Sequence, residues 1–344
     1  MLTSALAPPA PVTEAPPRRR PGVAVVAVCL GLFVLAAVAS LLLGVRGTPP
    51  IEVWRAFTDP VATSGDHRVV LDLRVPRTLV GALAGVALGL AGTLIQGVTR
   101  NPIADPGLLG INAGASLAVV LAIWLLGVTS PTSFVWFAFA GAALAALAVA
   151  AIGRGDPVRL ALGGAALTAL LTPVITMVLM RSRQAFDEYR FWAVGSLTGR
   201  DLDLAGDLWP YVATGAVLAV VCAHRLNLLA LGDDVARGLG QRVGTTRALA
   251  GLGITLLAGA ATSLVGPIAL VGLVVPHAAR RLAGSDYRRI LPVAAVLGAT
   301  LLLVADVIGR LVARPGELEA GIVTAFLGAP VLVAVARGRK VAQL

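Results

Sequence analysis

Apolar runs of roughly 20 residues follow one another along almost the whole chain, each long enough to cross about 30 Å of hydrocarbon as a helix. They fall at 23–45, 79–98, 110–127, 131–152, 160–180, 208–223, 290–312 and 320–336. A further run, Ala248 to Val275, is too long for one ordinary span and is broken at Gly266–Pro267. The piece beyond the break, Ile268–Val275, rises only about 12 Å as a helix, so it is expected to be short, buried and shielded by neighbours. The expectation is an all-α polytopic membrane protein of ten passes, one of them a short broken helix. Composition agrees. The chain has 344 residues, 57% hydrophobic and 13% charged, whereas soluble domains carry about 25% charge. Short loops use the remainder, so 23–340 reads as a single transmembrane domain. The Ala/Pro-rich stretch 1–22 reads as a disordered cytoplasmic tail. Ala37–Val38–Ala39 resembles a signal-peptidase site, but the apolar run has full bilayer width, which favours a retained span.

The net charge of +10 reflects orientation rather than nucleic-acid binding. Arginines cluster between apolar runs, and two passes through 248–275 put Arg280, Arg281, Arg288 and Arg289 on the same side as Arg18–Arg20, Arg154, Arg159, Arg225, Arg237, Arg242, Arg247 and Lys340. The positive-inside rule makes that side cytoplasmic and places both termini there. Cys29 and Cys222 lie in apolar runs, and His67, His224 and His277 are scattered, so neither a disulfide nor a metal site is indicated. The single lysine, Lys340, precedes Val341, which excludes a phosphate-binding G-K-[ST] loop.

The most informative stretch is Asp72–Ala115, DLRVPRTLVGALAGVALGLAGTLIQGVTRNPIADPGLLGINAGA. Arg74 and Arg77 flank Pro76. Gly81, Gly85, Gly89 and Gly92 recur at helical spacing, and Gln96 returns to nearly the azimuth of Gly85. Such a small-residue face is either a close helix contact or a bare wall ending in an amide. The X-Pro steps at Asn101–Pro102 and Asp105–Pro106 end the helix. This stretch resembles the FecCD-type permeases, membrane subunits of ATP-binding-cassette importers for iron–siderophore complexes, haem and vitamin B12. Arg74–Arg77 match the family's R-x-P-R, and Asn101–Pro106 its N-P-[LI]-A-[DE]-P loop.

Other segments extend the resemblance. FWAVGSL, with Phe191 and Trp192, follows the fifth span and reads as an interfacial helix. Leu231–Gly240 resembles the family's L-G-x-x-x-A-x-x-L-G segment. Its helical spacing from Asp233 to Leu239 and its terminal Gly240 fit a soluble loop helix. The resemblance implies that Leu231, Gly232, Ala236, Leu239 and Gly240 form the coupling element that fits a cleft on the ATPase. Gly266, Pro267, Pro276 and His277 belong to the G-x-I-x-F-V-G-L-x-x-P-H signature, although Ala269–Leu270 replace the aromatic. In GELEAGIVTAFLGAPV, Glu319 stands where proline is common.

Arg74, Arg77 and Arg310 match family positions that dock acidic residues of an extracytoplasmic binding protein; Asp306 and Arg310 can equally pair as i,i+4 neighbours. Thr168, Thr172, Thr176 and Met180 recur every four residues. The hydroxyls either bond the i−4 carbonyl or, with Gln96, line the translocation path. The resemblance implies a dimer, with itself or with a related chain, in the cell membrane. ATP and magnesium would sit on a separate subunit, and this chain would carry no catalytic site or cofactor. Ferric siderophores are the leading cargo, haem and cobalamin the rivals. An ion-coupled transporter would need ionisable groups at mid-membrane, and the spans hold almost none. No constellation for an intramembrane enzyme is present.

Overall fold

The computed structural model describes residues 23–153 and 156–337, and every regular element among them is helical. The tail 1–22 and the position of Lys340 lie outside the described residues. In order the helices are α1 (Val23–Leu42), α2 (Pro50–Thr58), α3 (Gly65–Arg68), α4 (Val75–Thr99), α5 (Ile111–Leu126), α6 (Pro131–Gly153), α7 (Pro157–Arg181), α8 (Arg183–Ala193), α9 (Leu202–Leu229), α10 (Asp233–Gly238), α11 (Val243–Val265), α12 (Val271–Ala283), α13 (Tyr287–Val312) and α14 (Ala320–Arg337). Among the described residues, seven helices have the length and apolarity of a membrane span; Ile111–Leu126 and Ala320–Val335 are shorter apolar helices.

The stretch 46–78, polar by composition, is largely helical. Pro50 starts α2 at its first turn, where proline's missing N–H costs nothing. A π-helical turn over Val69–Arg74 joins α3 to α4 without a break. Arg74 and Arg77 therefore lie within a continuous helix rather than ahead of one.

The break at Gly266 is present: α11 ends at Val265 and Gly266 takes φ 78°. The short helix differs from expectation. It starts at Val271, after Leu270 in a left-handed conformation, and runs on to Ala283. Its 13 residues rise about 20 Å. Pro276 does not stop it, for a reason that lies in α4.

Helix α4 is the centre of the molecule and packs against α13, α11, α12 and α9. Its glycines permit this. A methyl group on Gly85 would strike the backbone of Gly298 and Ala299 on α13, and one on Gly92 would strike the backbone of Gly272 on α12. Helices α1 and α7 lie at the rim, with most of their apolar surface uncovered.

Candidate translocation and coupling sites

At the end of the bundle where α4 begins and α13 ends, four charged side chains form one cluster. Arg77 Nη2 donates to Asp306 Oδ1 at 2.7 Å and Nε at 3.0 Å; Nη1 reaches Glu317 Oε2 at 2.7 Å. Arg310 Nη2 closes on Asp306 Oδ2 at 2.8 Å, one turn away on its own helix. Asp306 is fully buried between two guanidinium groups, so both of its oxygens have partners in a place where an unpaired polar group would be costly.

The other edge of Arg310 donates to Ser40 O and Leu43 O, both at 3.0 Å. Arg74 donates to Leu41 O at 2.7 Å, Leu42 O at 3.0 Å and Arg46 O at 2.7 Å. Ser40 O, Leu41 O and Leu42 O are carbonyls of the last turn of α1, where helix carbonyls lack partners and the dipole also favours a cation, and Leu43 O and Arg46 O belong to the segment that follows. The three arginines read from the sequence as a docking triad thus lie together at this end of the bundle. Arg74 and Arg310 are buried and point inward, and the Arg77 side chain keeps only 11% exposure. The pairing of Arg77 with Asp306, and the presence of Glu317, escaped the sequence because they join residues far apart in the chain.

Gln96, read from the sequence as a path residue, is fully buried among the described residues. Pro276 has no N–H for the carbonyl four residues before it, which is that of Gly272. Gln96 Nε2 donates to Gly272 O at 3.3 Å and Leu273 O at 3.2 Å. Its Oε1 accepts from Arg280 Nη1 at 2.6 Å and Nη2 at 2.7 Å. One amide thus satisfies the gap that Pro276 leaves and anchors the arginine one turn further along α12.

The loop after α4 packs onto the same place. Asn101 Oδ1 accepts from Ile103 N at 3.1 Å, and Asp105 Oδ1 accepts from Gly107 N at 2.9 Å, starting the short turn at Pro106–Leu109. Pro106 and the Asp105 carboxylate lie against Gly272. Burial pushes the Asp105 carboxyl up to about 6. Pro102 follows the left-handed Arg100 that ends α4. His277, on α12, leaves its buried Nε2 without a partner among the described residues.

On the opposite face from the charged cluster, α10 stands between Gly232 (φ 104°) and Gly240 (φ 82°). Ala236 is buried beneath it, while Leu231, Val235 and Leu239 form an exposed apolar row. Asp233 anchors the helix. It accepts from Arg247 Nη2 at 3.0 Å and Arg100 Nη2 at 3.2 Å. The coupling segment is therefore tied to the ends of both α4 and α11, through arginines that spacing alone did not single out.

Thr172 and Thr176 bond back to the carbonyls four residues earlier, at 2.7 and 3.0 Å. Their ridge on α7 is nonetheless uncovered, and Met180 is 86% exposed; Thr168 is half-buried at its start. A second uncovered apolar surface is an open groove of about 950 Å³ between the Pro267–Ala269 segment, the end of α8 and α14, lined by Val194, Ile322, Phe326 and Val333.

Comparison with known proteins gives this arrangement its context. A family model described as the FecCD transport family matches residues 32–338. The ferric enterobactin transport system permease protein FepD of Escherichia coli (strain K12) is 47% identical over 89% of this chain and 92% of its own length. The probable siderophore transport system permease protein YfiZ of Bacillus subtilis (strain 168) is 41% identical over 91% of this chain and 96% of its own. A solved structure of an inward-facing metal-chelate type ABC transporter superposes with a TM-score of 0.81 at 26% identity, covering 90% of this chain and 99% of that one. With the glycine-packed α4, the interrupted α11–α12 pair and this near-complete coverage, the chain belongs to the FecCD transport family of membrane permeases.

Proposed function

We propose that this chain is the membrane-spanning subunit of an ATP-driven importer of ferric siderophore complexes. The observation that carries the cargo class is the 47% identity, over most of both chains, to a ferric enterobactin permease. Two copies, or this chain with a related one, enclose the path, with the uncovered face of α7 and the groove beside α14 turned toward each other. A cytoplasmic ATPase holds ATP and magnesium and receives Leu231, Val235 and Leu239 in a cleft. Closure of that subunit presses on α10, and Asp233 passes the force to Arg100 at the end of α4. An extracytoplasmic binding protein delivers cargo at the Arg77–Glu317 edge. Both termini are cytoplasmic, and 23–340 acts as one domain.

The test is uptake into proteoliposomes holding the permease and its ATPase, with the binding protein outside and radioactive iron in a siderophore. Uptake is expected to require internal ATP, to stop with vanadate and to survive collapse of ion gradients. Competition by haem or cobalamin at equal concentration would reassign the cargo. Uptake that follows an ion gradient without ATP would sink the reading.

A further inference from the structure

Helix α2 shows solvent a face that a water-exposed helix avoids. Val53 and Ala56 are buried against Val70, Leu41 and Leu42. The neighbouring arc carries Ile51, Trp54 and Phe57, exposed by 54%, 66% and 51%. At about 100° per residue these three span roughly a third of the helix circumference, and the polar pair Glu52–Arg55 lies between this arc and the buried Val53–Ala56 face. The rotation of α2 is fixed. Val53 and Ala56 pack inward, and the ring of His67 on α3 lies 3.3 Å from Glu52 Oε2, while Arg55 Nη1, within α2, donates to Glu52 Oε1 at 2.8 Å. His67 Nδ1 accepts from Val61 N at 2.9 Å, so Nε2 carries the ring proton and donates to Glu52. The apolar arc is thus held outward rather than free to roll under.

Two independent observations say what covers it. The first is depth. Helix α2 packs on Leu41 and Leu42, the last turn of α1, whose 20 residues rise about 30 Å and match the hydrocarbon. The exposed residues Val34, Leu35 and Val38 of α1 lead up to it as one apolar strip. The second is the tryptophans. All five sit at one end of the bundle: Trp54 beside the end of α1, Trp124 at the end of α5, Trp136 near the start of α6, Trp192 in α8 and Trp209 near the start of α9. Four of them are exposed. Tryptophan gathers where an apolar ring and a polar N–H meet the boundary of hydrocarbon and headgroups.

We propose that α2 is a membrane-interface helix, with Ile51, Trp54 and Phe57 set into the boundary between headgroups and acyl chains at the end of α1. An amphipathic helix lying in the membrane plane buries its apolar face about 5–10 Å into that boundary. The proposal stands apart from the transport reading and needs only that α1 spans the bilayer.

The test uses the full chain in vesicles of phosphatidylcholine and phosphatidylglycerol, with one added cysteine carrying a nitroxide. Cys29 and Cys222 are buried, so unmodified protein serves as the labelling control. Positions 51, 54 and 57 are compared with 55 and 59. Oxygen, which partitions into lipid, is expected to relax the label several-fold more than a water-soluble nickel chelate does at 51, 54 and 57, with the order reversed at 55 and 59. Equal chelate access at 54 and 59 would overturn the proposal. So would protection at 54 that rises with the density of permease in the membrane or arises only on adding a binding protein, since either assigns the face to protein. Ile51→Cys and Phe57→Cys keep the test intact if Trp54→Cys does not fold.

Discussion

The Asp306 carboxylate is buried and shared by Arg77 and Arg310, so removing one partner leaves a charge short of compensation. Arg77→Ala is expected to destabilise the protein by about 3 kcal/mol, read as a lower melting temperature in detergent. Asp306→Asn should soften the loss when combined with it. Charge reversal at Arg77 would set a glutamate beside Asp306 and Glu317 and would report on folding before it reported on docking. Asp105 gives a pH-dependent case. Its folded carboxyl titrates near 6 and an unfolded one near 4. The folded state therefore binds protons more tightly. The favourable contribution is complete below about pH 4 and is lost as pH rises through about 6. Asp105→Asn keeps an oxygen for the Gly107 N–H and removes that dependence. Its melting temperature relative to the unmodified protein should be higher at pH 8 than at pH 4. A constant difference across the range would show that the carboxyl is not shifted.

At the scale of elements, spans and the break at Gly266 were legible, because hydropathy runs and Gly-Pro steps are local signals. The extent of α12 was not, because its continuation through Pro276 depends on the bond from Gln96 to Gly272, two residues 176 apart in the chain. The Arg77–Asp306 contact, across 229 residues, was hidden in the same way, while the i,i+4 pair of Asp306 with Arg310 was visible. Glycine spacing in α4 suggested close contact, and the structure supplies the partners. Gly85→Ala is expected to cost 1–3 kcal/mol, roughly the overpacking range, because the added methyl meets backbone that has no rotamer to change. Gly251→Ala on α11, where nothing lies within 4 Å, is the neutral control. Equal melting temperatures for the two variants would show that α4 and α13 adjust their spacing freely.

At the scale of the whole molecule, the uneven covering of the helices is the main feature. Helices α4, α11 and α13 are largely enclosed, whereas α7 and the groove beside α14 lie open, as in a part made for assembly. The orientation proposed from arginine placement is tested at Arg288, at the start of α13. An Arg288→Cys variant should resist a membrane-impermeant maleimide in intact cells and react in inverted vesicles. Labelling from outside would reverse the orientation and with it the assignment of α10 to the ATPase side.

The bond from Gln96 to Gly272 O also bears on descent. Proline at 276 leaves an acceptor vacant, and glutamine at 96 fills it. A lineage that regained an N–H at 276 would give that carbonyl back to its own helix, and the glutamine would keep its bonds to Leu273 O, Ala104 O and Arg280. A lineage that lost the glutamine first would carry a proline gap in the dry centre of the protein. The two orders of change are unequal, so these positions are expected to drift as a pair, with replacement at 276 preceding replacement at 96.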